Sequence, residues 1–158
     1  MNSPNGYREL PKVNSYDRIS NSGLLASNWL GPCIGSVVNS CQKNVAYVGH
    51  FGSFPDSLST LTGYIRDIRS EFKDFDGLKV TIRGRHGSSD MNEGARRYTE
   101  AQRRNFIIVL TDNGFSENQM DVQWGEDDYR TNLIYDANEK KVREEKKIDE
   151  DFFITNER

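Results

Sequence analysis

Two short apolar runs separated by a polar turn restrict most strongly how this chain can fold. Residues 34–38 and 45–48 are rich in valine and isoleucine, and Gln42-Lys43-Asn44 between them is typical of a turn. The pattern therefore predicts a β-hairpin over residues 34–48. Cys33 directly precedes the first run, and His50 follows the second.

The rest of the chain alternates between helical and strand patterns. Apolar residues spaced three and four apart predict a helix over 58–72, capped by Asp56 or Ser57. A second helix is expected at about 97–105, with apolar positions that can continue it to Leu110. Further strands are expected at 23–26, 78–82, 121–125, 129–136 and 141–144, with a glycine-rich loop at 83–94. The predicted fold class is α+β, an α/β sandwich with a mixed β-sheet core and flanking helices.

Length and charge exclude several classes of protein. The chain has 158 residues, a formal net charge of -3 and 35% hydrophobic residues. These values indicate one domain with a single proper core, and they do not favour nucleic acid as a partner. We expect a polar lead-in at 1–22 that is flexible or lies at an edge, the domain at 23–143, and a charged tail at 144–158. The tail is interpreted as a docked helix or a frayed end.

The cysteine content and the N-terminal sequence indicate the expected cellular compartment of the chain. Two cysteines, Cys33 and Cys41, are too few for a disulfide framework, which favours a reducing cytoplasm. The first 20 residues lack the apolar segment of a signal peptide, and no apolar stretch approaches the roughly 20 residues of a membrane helix. A soluble protein without membrane insertion is expected.

Cys33 and His50 are the candidate catalytic pair. The sequence Leu30-Gly31-Pro32 places Cys33 after a tight turn, and a hairpin brings its two ends side by side. A histidine beside a cysteine can act as its base, and an imidazolium or free backbone N–H groups can lower the thiol pKa. Ser27 is the nearest candidate for the group that orients the imidazole. The structural alternative is two buried residues in neighbouring strands.

The motif Ser27-x-x-Leu-Gly-Pro-Cys33, with His50 seventeen positions later, resembles the signature of the chemoreceptor glutamine deamidase (CheD) family. That family has Thr-x-x-Leu-Gly-Ser-Cys, a strand, and a histidine at the same separation. The segments LKVTIRG, ARRYTEAQRRNFIIVLTDNGF and VQWGEDDYRTNLIYDANEKKV resemble its later segments. The resemblance covers roughly residues 23–143.

The resemblance implies a fold shared with toxin deamidases of the cytotoxic necrotizing factor type. The implied activity is hydrolysis of glutamine side chains in a target protein to glutamate and ammonia, with no cofactor. Cys33 would be the nucleophile, His50 the general base and acid, and Ser27 the orienting hydroxyl. The partner would be a protein with an exposed glutamine, either a chemoreceptor in the cytoplasm or a host protein reached by a secreted effector.

The chain departs from the family pattern around the motif. Pro32 replaces a serine and removes one backbone N–H, Ser27 replaces a threonine, and FGSFPDS follows the histidine where the family has an apolar stretch. The residues at the rim of the site, which select the substrate, are therefore expected to differ from those of the family. Trp29, Pro32 and Arg130 are the candidates for this rim. The alternatives are a binding module that has lost turnover, a thiol peptidase, or a transglutaminase.

Other polar residues are interpreted conservatively. Cys41 is expected at the surface or in a structural role, His86 in a solvated loop, Trp29 and Trp124 in the core or a pocket wall, and 126–128 in a turn. Two histidines and two cysteines do not have metal-ligand spacing, so no metal site is expected. Six arginines form either a charged helix face or a basic rim for an acidic protein: Arg83, Arg85, Arg96, Arg97, Arg103 and Arg104.

Overall fold

The computed structural model describes residues 6–87, 90–126 and 129–148, and within them the chain is an α+β fold with two mixed sheets and two helices. The predicted α+β class is thus confirmed, with two mixed sheets where one mixed-sheet core was expected. The strands are β1 Tyr7–Glu9, β2 Ser15–Ser20, β3 Leu24–Leu30, β4 Ile34–Ser40, β5 Val45–Phe51, β6 Leu78–Gly87, β7 Met120–Glu126, β8 Tyr129–Asp136 and β9 Lys141–Ile148. The helices are α1 Leu58–Glu71 and α2 Glu93–Asp112, and a short 3-10 helix spans Glu117–Gln119.

The strands are divided between two sheets. The four-stranded sheet has the order β1-β3-β8-β9, and the five-stranded sheet has the order β2-β5-β4-β6-β7. One pair in each sheet is parallel, β1 with β3 and β6 with β7, and the other pairs are antiparallel. The predicted hairpin is confirmed as β4 and β5, which form the centre of the larger sheet together with β6.

Two apolar clusters divide the molecule into three layers. One cluster joins the five-stranded sheet to both helices and contains Phe51, Tyr64 and Phe106. The second lies between the sheets and contains Leu25 and Leu133 from the smaller sheet and Val37 and Val48 from the larger. Because successive residues of a strand point to opposite faces, Val37 and its neighbour Val38 enter different clusters. The order of layers is sheet, sheet, helices.

Helix α1 follows the predicted periodicity. Its buried residues are Leu61, Tyr64, Ile65 and Ile68, which lie on one face at the predicted three- and four-residue spacing. Burial of each such aliphatic side chain contributes about 1.5–3 kcal/mol, so this face rather than helix propensity fixes α1 on the sheet. Among the described residues, neither helix is long and apolar enough to span a membrane.

Several boundaries differ from the sequence predictions. Residues 7–9 and 15–20, expected in a flexible or edge-lying lead-in, are strands at the edges of the two sheets, paired with β3 and β5. Strand β6 continues through the expected loop to Gly87, since it pairs with β7 beyond a bulge between Gly84 and Gly87. Helix α2 is longer than expected at both ends. Strand β9 extends into the expected tail as far as Ile148, and residues 149–158 lie outside the described part of the chain.

The buried hydroxyl of Tyr64 provides a test of how α1 is joined to the sheet. It donates to the carbonyl oxygen of Tyr47 at 2.9 Å and lies 3.1 Å from Ser36 Oγ. Tyr64→Phe should lower the free energy of unfolding by about 1–2 kcal/mol, because buried polar atoms lose their partner. Urea unfolding measures the change. Tyr98→Phe, at an exposed position on α2, is the matched control, and an equal effect of both variants would contradict this account.

Candidate active site

Cys33 lies at the turn that leads from β3 into β4. It immediately precedes Ile34, the first residue of β4, and it is half-buried. Its side chain packs against the cluster between the two sheets. The tight Leu-Gly-Pro turn therefore delivers the thiol to one end of the inter-sheet layer.

His50 is placed by the register of the hairpin. Ile34 pairs with Phe51 and Gly35 with His50, so continuation of this register by one residue sets Cys33 opposite Gly52. Cys33 and His50 are then diagonal neighbours on the same face of adjacent strands, a relation with a typical separation of about 7–8 Å. The hairpin thus brings the predicted pair to the same face as diagonal neighbours.

The pair is not joined by a hydrogen bond in this structure. Within the described part of the chain, the side chains of Cys33 and His50 make no hydrogen bond to each other. A diagonal pair is too far apart for direct contact unless a side chain turns toward its neighbour. Catalytic hydrogen bonds are often long before substrate binds, so the geometry is compatible with a nucleophile and its base.

Ser27 lies in the same layer but makes no bond to His50. It pairs with Leu133 in the smaller sheet, on the face that carries Leu25 and contributes to the inter-sheet cluster. Its hydroxyl is completely buried and has no hydrogen-bond partner among the described residues. The predicted hydrogen bond between Ser27 and His50 is therefore absent here. A buried hydroxyl without a partner costs free energy, and the Ser27 hydroxyl can still form such a bond.

Burial opposes charge on both members of the pair. It raises the pKa of the Cys33 thiol above its ordinary value, while the positive charge of Arg85 acts in the opposite direction. Burial also lowers the pKa of His50. At neutral pH the directions of both shifts favour a neutral thiol beside a neutral imidazole. An imidazolium, which could have lowered the thiol pKa, is disfavoured in this environment.

The turn that carries Cys33 is attached to β6 through its carbonyl groups. The Arg85 N–H donates to the Cys33 carbonyl at 2.8 Å, and the His86 N–H donates to the Gly31 carbonyl at 2.7 Å. The Arg85 guanidinium donates to the Pro32 carbonyl at 2.6 Å. Three successive carbonyl groups are thus held by two residues of the β6 bulge, which fixes the thiol relative to the five-stranded sheet.

This attachment requires glycine at position 84. Gly84 has a φ of 103°, and a Cβ placed there would lie 2.2 Å from the Cys33 carbonyl oxygen. Arg85, the next residue, is also left-handed with a φ of 40°. Non-glycine residues in this region cost of order 1–3 kcal/mol and are concentrated at functional sites. The β6 bulge is therefore an uncommon backbone arrangement that faces the candidate nucleophile.

The expected rim residues lie beside the turn. Trp29 has a φ of 60° at a bulge in β3, where its N–H donates to Asn132 Oδ1 at 2.8 Å, and its side chain is 58% exposed. Pro32 is exposed. A Cβ at Gly31 would lie 2.7 Å from Arg130 Nε, so the Arg130 side chain covers the turn.

The remaining polar candidates differ in outcome. Cys41 is exposed, in agreement with its expected place. His86, expected in a solvated loop, is half-buried against the Tyr129 ring, with Nδ1 at the Glu126 carbonyl. Trp124 is half-buried and stacks against the Arg103 guanidinium. The turn expected at 126–128 lies mostly outside the described residues.

The six arginines do not form one surface. Arg96, Arg97 and Arg104 are exposed on α2, as expected of a charged helix face. Arg83 and Arg85 are buried, and Arg103 is half-buried, donating to the Arg85 carbonyl oxygen. Sequence reasoning therefore missed Arg85 as part of the site. The available signal was Arg-Gly-Arg following an apolar strand without a break, with a glycine that permits close approach of another chain segment.

No metal centre or known relative supplies a function for this site. No group of three or more histidine, cysteine, aspartate or glutamate residues suited to a metal ion occurs in the described ranges. No protein-family model matches the chain, and no curated protein matches it. A function has to be inferred from the arrangement of Cys33, His50 and their neighbours.

Gly84 offers a sharp test of the turn geometry. Gly84→Ala should lower the free energy of unfolding by about 1–3 kcal/mol, because the added Cβ meets the Cys33 carbonyl and the backbone is left-handed. Gly77→Ala is the matched control, since a Cβ there meets nothing within 4 Å. Chemical denaturation of both variants measures the difference. Equal stability of the two would show that the turn does not need glycine.

The pKa shift of Cys33 predicts its reactivity. Alkylation requires the thiolate, and a raised pKa leaves less thiolate at neutral pH, so the rate should continue to rise above the ordinary thiol pKa of about 8.5. Mass spectrometry of iodoacetamide-treated protein measures the profile, with exposed Cys41 as the internal reference. A rate that is already constant below about pH 7 would show instead a thiolate stabilised at rest.

Proposed function

We propose that this chain is a cysteine-dependent protein-glutamine deamidase. The observation that carries the proposal is that Cys33, just before β4, and His50, in β5, lie on one face of the hairpin, at the end of the inter-sheet layer that also contains the Ser27 hydroxyl. The motif around these residues resembles that of the chemoreceptor deamidases, and a sheet-sheet-helix arrangement is compatible with their α/β sandwich. On this proposal Cys33 is the nucleophile, His50 the base and Ser27 the orienting hydroxyl.

The reaction proceeds through a thioester. His50 takes the Cys33 proton as sulfur attacks the amide carbon of a glutamine side chain, and it returns that proton to the departing nitrogen as ammonia. His50 then removes a proton from water, which attacks the thioester. The carbon–sulfur bond breaks, the thiol is regenerated, and the product is glutamate. One water is consumed and one ammonia is released in each cycle.

The backbone at the turn is suited to the negative charge of the tetrahedral intermediate. The carbonyl groups of residues 31–33 are engaged by β6, and Pro32 has no N–H. We assign the oxyanion to the Cys33 N–H, the backbone donor of the nucleophile itself. The Ser27 hydroxyl would accept from the imidazole and hold its orientation during proton transfer, the role that an unbonded buried hydroxyl fits.

The proposed substrate is a glutamine on a protein rather than a free amide. Trp29 and Pro32 are exposed next to the thiol, and an exposed aromatic ring with a polar surround is typical of protein contact surfaces. Arg130 covers the turn from β8. A cytoplasmic receptor and a host protein reached by a secreted effector are the two target classes, and both present glutamine on folded surfaces.

A binding module is the second candidate function. The neutral resting pair favours it, because burial opposes both the thiolate and the imidazolium. Pro32 also favours a binding module, because proline lacks a backbone N–H that could have stabilised the oxyanion. In this case the exposed Trp29 face would bind a partner without any product. Product formation separates the two functions.

The decisive assay measures ammonia release and the mass gain of about one dalton per converted glutamine. Glutaminyl peptides, unfolded casein and helical receptor fragments form the substrate panel. The wild-type chain should convert at least one of them. Cys33→Ala should abolish conversion, and His50→Ala should reduce the rate by about 10²–10⁴-fold.

Cys41→Ala is the matched control, because it removes the exposed thiol and should leave the rate unchanged. Conversion that persists in Cys33→Ala would contradict the proposed chemistry. Incorporation of an added amine would identify transglutamination, and backbone cleavage would identify a peptidase. Binding to a substrate without any conversion by the wild-type chain would leave the binding module as the function.

A further inference from the structure

Arg85 is a buried cation for which the described chain provides no acidic partner. Its side chain is 7% exposed, and its Nη1 atom donates to the Pro32 carbonyl at 2.6 Å and to Ser53 Oγ at 2.9 Å. Both acceptors are neutral. Arg83, two residues earlier and 6% exposed, instead forms ion pairs with Asp121 at 3.1 Å and Glu144 at 3.0 Å. The two arginines are buried to a similar degree, but among the described residues only the charge of Arg83 is offset by acidic groups.

An uncompensated buried charge is expensive. Removal of a guanidinium from water costs several kcal/mol after relaxation, and an anion normally offsets this cost. Arg85 has the face of Tyr98 at 5.3 Å in addition to its two neutral acceptors. An aromatic face contributes only about 0.5–2 kcal/mol. The positive charge therefore remains available to an anion that forms nearby.

The position of Arg85 is fixed from two sides. Its backbone N–H holds the Cys33 carbonyl at 2.8 Å. Its own carbonyl oxygen accepts from Arg103 Nη2 at 2.8 Å and Nε at 3.1 Å, which ties it to α2. Its left-handed backbone follows from these contacts. A residue held in this way presents its charge to the turn without a further ordering cost.

Charged and titratable groups approach the turn from several elements. His50 faces it from β5, Arg85 from β6 and Arg130 from β8. Tyr98 of α2 contacts Arg85. The charge of Arg85 acts on the Cys33 thiol, and it opposes the effect of burial on that pKa. His50 is disfavoured as a cation because burial lowers its pKa.

We propose that Arg85 is a positioning residue of the Cys33 site, which holds the turn of residues 31–33 and supplies the fixed positive charge that stabilises the Cys33 thiolate. This inference rests on the proposed function, since it assigns Arg85 a part in activating the nucleophile. It adds a third element, β6, to a site otherwise formed by the β4–β5 hairpin and β3.

The test follows the alkylation of Cys33 by iodoacetamide as a function of pH in the full-length chain. Arg85→Gln removes the charge and keeps a donor for the Pro32 carbonyl, and Arg85→Lys keeps the charge but loses the planar fork. Arg85→Gln should move the profile to higher pH and slow alkylation near neutral pH about tenfold. Arg85→Lys should restore most of the wild-type rate.

Arg104→Gln is the control for a change of net charge, because it removes an exposed cation from the adjoining helix. Its Cys33 profile should match that of the wild type. Circular dichroism and thermal unfolding of each variant establish that the fold is retained. If Arg85→Gln does not fold, Arg85→Lys carries the test: its profile should lie close to that of the wild type, and alkylation slowed about tenfold near neutral pH would overturn the inference.

Two results would overturn the inference. One is a Cys33 profile that Arg85→Gln leaves unchanged. The other is a shift in Arg85→Lys as large as that in Arg85→Gln, since both retain a hydrogen-bond donor and differ in charge. Because alkylation needs no substrate, these outcomes are independent of the deamidation assay. Failure of that assay alone would revise the reaction but not the role of Arg85 at the thiol.

Discussion

Strand β4 is hydrogen-bonded along both edges, to β5 and to β6, and the relative positions of Cys33, His50 and Arg85 depend on this pairing. The register with β5 sets His50 diagonal to Cys33. The register with β6 sets Ile34 opposite Gly84, so that the β6 bulge meets the turn just before β4. A slip of one residue in either pair would turn the side chains to the other face and separate them. The centre of a sheet is the place where such a slip is least tolerated, because both faces of β4 are buried.

The sequence predicted best the elements whose signal is local and periodic. The β4–β5 hairpin and α1 carry apolar residues at the spacing of their own secondary structure, so their residues identify them without knowledge of the rest. Strands β1 and β2 are short and largely polar, and they exist because β3 and β5 provide partners. The ion pair between Arg8 and Asp17, 2.8 Å long, joins them across the two sheets. Pairing between distant segments leaves little trace in either segment alone.

The same distinction applies to the candidate site. Cys33 and His50 could be selected from their spacing, since a hairpin relates its ends by simple counting. For Arg85 the sequence offered only the Arg-Gly-Arg segment after an apolar strand, since its burial depends on a bulge between Gly84 and Gly87 and on Arg103 of α2. Trp29 was expected in the core or at the rim, and it is exposed because a bulge in β3 turns its backbone to a φ of 60°. Bulges reverse the alternation on which sequence patterns depend, and two of them border this site.

Burial disfavours the charged forms of both Cys33 and His50. Burial raises the pKa of the Cys33 thiol and lowers the pKa of His50, so it disfavours a thiolate–imidazolium ion pair as the resting form of the two residues. On the proposed roles, the two tasks are divided between residues. Arg85, held at the Pro32 carbonyl and the Cys33 carbonyl, would supply positive charge to the turn. His50, whose pKa burial lowers, would accept the thiol proton as the substrate carbon is attacked. The arrangement separates the stabilisation of negative charge from the transfer of the proton, and a bound substrate that excludes more water would strengthen the first without weakening the second.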